Sequence, residues 1–246
     1  MILLKADLHI HTVLSPCGDL DMSPVRIVEE AEKKGLDIIG ITDHNTTRHC
    51  RLVSKLAKDK GIFVMQGAEV TTKEEVHCLA FFENNDTLNI FQDFLDENLP
   101  EIMNDPSKFG YQVQVDKDEI IIYEEKKLLL NAIKKNISEV EKFVHSLNGL
   151  FIAAHIDRQK NSIYSQLGFI PADFNADALE ISRANSPKVF ESLHPEVKKF
   201  SVVRNSDAHC PEDIGAASTM FQVEKASFSE VCMAIKGLNG RKIITE

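Results

Sequence analysis

The chain has 246 residues, 43% of them hydrophobic, with a formal net charge of -10 and a pI near 5.4. That length suits one large α/β domain or two small ones, and the acidic balance excludes a general attraction for nucleic acid or anionic membrane. No apolar run approaches the ~20 residues that cross a bilayer; five cysteines without a CxxC and an N-terminus without a basic-then-apolar leader fit a soluble protein of a reducing cytoplasm.

ILLKADLHI, at the N-terminus, reads as a strand. SPVRIVEEAEKKG reads as a helix with Ser23 as N-cap, Pro24 at the first helical position and Gly35 as C-cap. LDIIGIT is a short apolar run, hence a buried strand. TTRHCRLVSKLAKDKG is helical to Gly61, and IFVMQGAEV is a third strand. This order implies parallel strands with helices packed outside. EVHCLAFF (75–82) is another strand, reached without a long helix.

From about residue 83 to 130 the chain turns acidic and irregular, with a helical NIFQDFLDENL and a hairpin pattern in YQVQV and EIIIY. We read this as an insertion over a single domain that spans 1–246. SEVEKFVHSLNG restarts the helix signal, with Ser138 as N-cap and Gly149 as C-cap. Strand-like runs return at LFIAAHI, DALEIS and FSVVRN, and TMFQVEKASFSEVCMAIKG closes with strand, turn and helix. Seven or so strands suggest a barrel related to the (β/α)8 class, with an open doubly wound sheet as the other architecture.

Six of nine histidines lie in short clusters: DLHIHT (His9, His11), ITDHNT (His44), EVHCLAFF (His77), AAHIDR (His155) and NSDAH (His209). Most fall just beyond a predicted strand, and C-terminal strand ends of a parallel barrel converge on one face. His77 starts its strand and reaches that face if the strand returns by a tight reversal. On a strand, the HxH spacing puts both imidazoles on one side. The carboxylates Asp7, Asp43, Glu69, Asp157 and Asp207 accompany them. Such mixed N/O donors suit Zn, Mn or Fe, and a carboxylate such as Glu69 can bridge two ions. His49 and His145, in helical patterns, and His194, before a proline, read as structural; Cys50, Cys78 and Cys232 read as core residues.

The ordered set DLHIHT, SP-x-G-x-x-x-x-SP, GITDHN, GAEVT, HCLAFF, AAHIDR and NSDAH resembles the PHP superfamily, the phosphoesterase domains named for polymerase and histidinol phosphatase. The resemblance implies an α/β fold, a distorted (β/α)7 TIM-like barrel, here with an inserted acidic segment, and two or three divalent ions (Mn, Zn or Fe) at its C-terminal face. It implies one metal site from His9, His11, Glu69 and Asp207, a second from Glu69, His77 and His155, and a third that takes His44 and His209. Asp43 and Asp7 then read as carboxylates that orient imidazoles. One position departs: where a further Asp or His is expected after HxH, the loop offers Pro16 or Cys17, with Asp19 close behind. Either Cys17 or Asp19 could be the missing ligand.

The implied reaction is phosphoester hydrolysis by a hydroxide bridging two metals. Arg158, and second Arg183, are the candidates to hold the phosphate, and His209 or His44, if free of metal, could be a general acid. The expected partner is a small phosphomonoester or nucleotide, such as a nucleoside 3′,5′-bisphosphate, with no membrane and no extended nucleic-acid track. A histidinol-phosphate or protein-tyrosine phosphatase, a short-oligonucleotide exonuclease, and a non-catalytic metal-binding accessory module are the alternatives.

Overall fold

Strand β1 (Ile2–Ile10) is covered on both faces over its second half: Asp7, Leu8, His9 and Ile10 are all buried, Leu8 and Ile10 in different core clusters. The computed structural model describes residues 1–244 of the chain. Helix α1 (Pro24–Lys33) starts as predicted, with the Ser23 hydroxyl accepting from the Arg26 N–H at 3.1 Å and Pro24 in the first turn. Gly35 follows its last turn at φ 63°, a left-handed position that favours glycine. Strand β2 (Ile38–Ile41) runs parallel to β1, whose pairing is irregular between Asp7 and Ile10. Gly40 sits there because a Cβ would lie 2.3 Å from the Leu8 carbonyl oxygen.

Helix α2 (Cys50–Lys58) begins later than the pattern predicts. The residues before it form a buried loop fixed by tertiary bonds: the Gln92 side chain accepts from the Thr47 N–H, and Asn45 donates to the Leu129 and Asn131 carbonyls. Strand β3 (Phe63–Thr71) continues the parallel sheet, and β4 (His77–Phe82) returns antiparallel through a tight turn with Glu75 at φ 62°. Helix α3 (Asn85–Asn98), capped by Asn84, sends Leu88, Phe91 and Leu95 into the main core. Helix α4 (Pro106–Phe109) leads to the hairpin of β5 (Val113–Val115) and β6 (Ile121–Glu124), a separate two-stranded sheet.

Helix α5 (Ile137–Ser146) is capped by Asn136 rather than by Ser138, because Asn136 and Glu139 close a reciprocal capping box. Its left-handed exit residue is Asn148 (φ 55°) rather than Gly149. The chain continues through β7 (Leu150–Ala153), α6 (Ile163–Leu167), β8 (Ala178–Ile181), α7 (Pro187–Leu193), β9 (Ser201–Arg204), β10 (Thr219–Val223), α8 (Phe228–Ile235) and β11 (Lys242–Ile244).

The main sheet has nine strands in the order β11-β10-β1-β2-β3-β4-β7-β8-β9. The triples β1-β2-β3 and β7-β8-β9 are parallel; β4, β10 and β11 pair antiparallel. Edge strands β9 and β11 meet, so the sheet nearly closes into a distorted TIM-like barrel. Leu8, Ile38, Met65, Phe81 and Phe221 fill its interior, while Ile27, Val53, Phe91 and Val140 pack the helices outside. Every parallel strand therefore ends on the same rim. Among the described residues, no helix is long and apolar enough to cross a membrane.

Candidate metal centre

The rim gathers residues that are up to two hundred positions apart in sequence. His9 sits in β1 and His11 just past it; His44 follows β2, Glu69 lies near the end of β3, and His155, Asp207 and His209 lie in loops after β7 and β9. The β2–β3 pairing extends through a bridge between His44 and Glu69. Antiparallel pairing of Thr71 with His77 brings the start of β4 to the same rim, as the short connection requires. His155 (φ 28°) and Asp207 (φ 52°) have left-handed backbones, strain of the kind that collects at functional sites.

Glu69, 1% exposed, is the hub. Its Oε1 lies 2.8 Å from His77 Nδ1, 3.0 Å from His155 Nε2 and 3.4 Å from His9 Nε2. Its Oε2 lies 3.1 Å from His44 Nδ1 and 3.3 Å from His11 Nε2. Asp207 Oδ1 lies 3.3 Å from His9 Nε2 and 3.2 Å from His11 Nε2. Ligand-type atoms come within 4.8 Å of one another in three overlapping groups: His9, His11, Glu69 and Asp207; His44, Glu69 and His77; and His11, Cys17, His44 and His209.

These donors fit divalent ions. Nδ1 of His44, Nδ1 of His155 and both carboxylate oxygens of Asp207 are buried without a hydrogen bond of normal geometry, a state that costs free energy unless another partner is supplied. The electrostatics agree. Burial alone would raise the Glu69 carboxyl, but the imidazoles of His77, His9 and His44 outweigh it and hold it well below the usual carboxylate range. Burial opposes charge on His9, yet Glu180, Asp207 and Glu69 push it well above an ordinary imidazole, and Asp207 with Glu69 takes His11 to about 9. Burial and the nearby His11 depress His44 strongly and take His209 to about 4. So the pocket already concentrates positive charge on the Glu69–Asp207 pair, which a metal ion would supply in place of protons.

Supporting bonds differ from those expected. Asp43 does not orient the His44 ring; it accepts from the Thr12 N–H (2.7 Å), the Thr12 hydroxyl (2.8 Å) and the Ser15 hydroxyl (2.7 Å), and so shapes the loop after β1. Asp7 does not reach either imidazole; it accepts from the Ser206 N–H (3.0 Å) and the Gly215 N–H (2.8 Å), and burial raises it to about 6. The bond to His11 Nδ1 comes from Ser15 at 3.0 Å, and that to His9 Nδ1 from Glu180 at 2.9 Å. Sequence reasoning passed over Glu180; its one signal was a lone carboxylate inside the apolar strand ALEI. His49 is buried between the Thr12 hydroxyl and the Val115 N–H and ties the insertion to the rim.

Two candidates stand apart. Asp19 is exposed and its Oδ1 accepts from the Asp21 N–H, outside all three groups. Arg183 is drawn away by an ion pair with Asp213. Arg158 does reach the centre, with one guanidinium nitrogen 2.5 Å from Asp207 Oδ2. It lines an open cavity of about 280 Å³ with Cys17, His44, Glu69, His77, His155, Asn161, Asp207 and His209. Lys160 and Gln159 line the shallower cavity beside it.

Known proteins are similar to this chain in sequence or in fold. An uncharacterized Bacillus subtilis protein, YqxK, is 27% identical over 272 aligned positions that cover 98% of this chain and 64% of its own. An uncharacterized Methanocaldococcus jannaschii protein, MJ1587, is 40% identical over 91 positions, covering 34% of this chain and 53% of its own. The chain thus spans between half and two thirds of these relatives. The lesion-specific endonuclease EndoQ of Pyrococcus furiosus superposes with a TM-score of 0.75 at 22% identity, over 98% of this chain and 58% of that one. A Bifidobacterium adolescentis protein described as a candidate metal-dependent phosphoesterase superposes with a TM-score of 0.59, also at 22% identity, over 92% of this chain and 93% of that one. Endonuclease Q has also been solved with a 27-mer duplex whose abasic lesion lies at the active site, superposing here with a TM-score of 0.71. The expected restriction to a small phosphorylated partner, with no nucleic-acid track, is therefore overturned: endonuclease Q, to which this fold is similar, takes a duplex substrate, and net charge alone was too coarse a guide. Residues 198–238 match the family described as PHP-associated, and residues 7–168, from the strand of the histidine pair to beyond Arg158, match the PHP domain; the chain belongs to the PHP family.

Proposed function

We propose that the chain hydrolyses phosphoester bonds with the help of bound divalent ions, and that its substrates include nucleic acid. The observation that carries the reading is the convergence of five imidazoles on the two oxygens of Glu69, beside Asp207 and at the mouth of an open cavity. His9, His11, Glu69 and Asp207 would hold one ion, and Glu69 with His77 and His155 a second. Bound ions would neutralise phosphoryl charge and lower the pKa of a water.

The chain's own residues do the rest. Glu69 reaches both groups through its two oxygens and fixes their spacing. Arg158, exposed but anchored at Asp207, presents a planar donor fork suited to a phosphate. His209, 31% exposed and lining the cavity beside Arg158, is placed to exchange a proton with a leaving oxygen when no ion occupies the third group. The likeness to endonuclease Q supports nucleic acid as a substrate class. A terminal phosphomonoester of a nucleotide is the second reading, favoured by the small number of cations at the rim, Arg158 and Lys160.

The test is hydrolysis by Mn- or Zn-loaded protein of an abasic-site duplex, an intact duplex, a single strand and a nucleoside 3′,5′-bisphosphate. Activity on one or more should fall to background in His9→Ala and Glu69→Gln, with loss of bound metal. Hydrolysis that survives in both variants would overturn the reading.

A further inference from the structure

We propose that Cys17 makes the third ligand group a thiolate-bearing site that selects zinc or ferrous iron, unlike the N/O groups around Glu69. This rests on the metal reading above and concerns only the third site.

The position of the sulfur is set by the loop after β1. Asp43 clamps Thr12 and Ser15, and the Gly18 N–H donates to the Ser15 carbonyl at 2.9 Å. A Cβ at Gly18 would lie 2.8 Å from the Thr12 carbonyl oxygen, so the turn is tight. The Asp19 N–H then donates to the His209 carbonyl at 2.8 Å, tying this loop to the one that carries His209. Cys17 therefore reaches the group with His11, His44 and His209 through two loops bonded to each other.

His11 is already committed. Its Nδ1 bonds Ser15 and its Nε2 faces Glu69 and Asp207. That leaves Cys17 Sγ with one nitrogen each from His44 and His209. His44 is 4% exposed, its Nδ1 faces Glu69 Oε2 at 3.1 Å without a hydrogen bond of normal geometry, and its ring also belongs to the group with Cys17 and His209. Asp19, the competing ligand, lies outside the group and its Oδ1 is taken by the Asp21 N–H. One thiolate and two imidazoles make three protein ligands with a position left open, the pattern of a reactive rather than a closed zinc site. Sulfur donors favour zinc and iron, whereas carboxylate-rich sets accept manganese. The ions of this centre are then not interchangeable: manganese fills the groups around Glu69, and zinc fills all three.

Cobalt(II) reports the difference directly, because a thiolate ligand adds a near-ultraviolet charge-transfer band that N/O ligands do not. Metal-free full-length protein titrated with Co(II) should develop that band. Cys17→Ala should abolish it and bind one zinc per chain fewer, while Cys210→Ala, its control one residue from His209, should retain it. Cys17→Asp should restore the third ion but without the band, and with manganese now accepted there. Metal bound around Glu69 with no charge-transfer band in the parent protein, or unchanged zinc content in Cys17→Ala, would overturn the proposal while leaving the phosphoesterase reading intact. Failure to bind any metal would instead sink that reading.

Discussion

Glu180 carries a lesson about what holds a metal ligand still. Its carboxylate is fully buried and both oxygens lie within 3.1 Å of His9 Nδ1, which commits Nε2 to the face shared with Glu69 and Asp207. Such outer partners fix the tautomer and raise ligand basicity. Glu180→Gln keeps the shape but removes the charge, and it should weaken zinc binding about 10- to 100-fold, read by chelator competition, with the far-ultraviolet spectrum unchanged. Unchanged affinity would mean that packing alone orients His9. The six rim histidines were legible because imidazoles placed just past apolar runs are chemically conspicuous. Glu180 was not, because an isolated carboxylate at a buried strand position declares its partner only in three dimensions. Asp7 and Asp43 were read as partners of the neighbouring imidazoles; in the fold their oxygens are taken by backbone N–H groups and hydroxyls of the rim loops.

At the level of elements, the first three strands and α1 were legible because period, cap and stop signals coincide there. Helix α5 shows the limit. Ser138 is a good cap residue in isolation, but Asn136 with Glu139 makes two reciprocal bonds and wins. The start of α2 was missed since side chains from the insertion hold the preceding loop, and the three-residue strand β11 has too little pattern of its own. The last turn of α5 also supplies a pH-dependent contact. His145 Nε2 lies 3.0 Å from Asp177 Oδ2, which also accepts from the Phe151 N–H, while Glu141 and Lys236 flank the pair. The bond to Asp177 raises His145 above its ordinary 6.5. Burial would raise Asp177, but His145 and the Phe151 N–H outweigh it and lower it below 3.8. The raised imidazole stabilises fully below pH 6.5 and its contribution fades as pH rises through the folded value; the depressed carboxyl contributes above pH 3.8 and fades as pH falls through its own. His145→Gln should therefore cost about 0.5–1 kcal/mol near pH 5 and little at pH 9. Urea unfolding at the two pH values measures this, and an equal loss at both would show that charge plays no part.

The whole molecule presents a conflict between its charge and the company its fold keeps. A chain of net charge -10 repels a polyanion at long range, yet endonuclease Q, which shares this fold over 58% of its length, has been solved with duplex DNA. The conflict dissolves if attraction is local. Two or three divalent ions would reverse the sign of the rim, and Arg158 and Lys160 are the cations that line its cavities. Binding so built should depend on metal and only weakly on salt. With about two phosphates neutralised by side chains, the slope of log K against log salt should be near -2 for duplex DNA. Fluorescence anisotropy of a labelled duplex across a salt series, at fixed Mn(II), measures it with a hydrolysis-deficient Arg158-intact variant such as His209→Asn. Chelator should abolish binding, and Arg158→Ala should make the slope shallower by about 1. A slope steeper than about -5, or binding that survives chelation, would place the nucleic-acid surface elsewhere on the molecule and make the metal centre a bystander to capture.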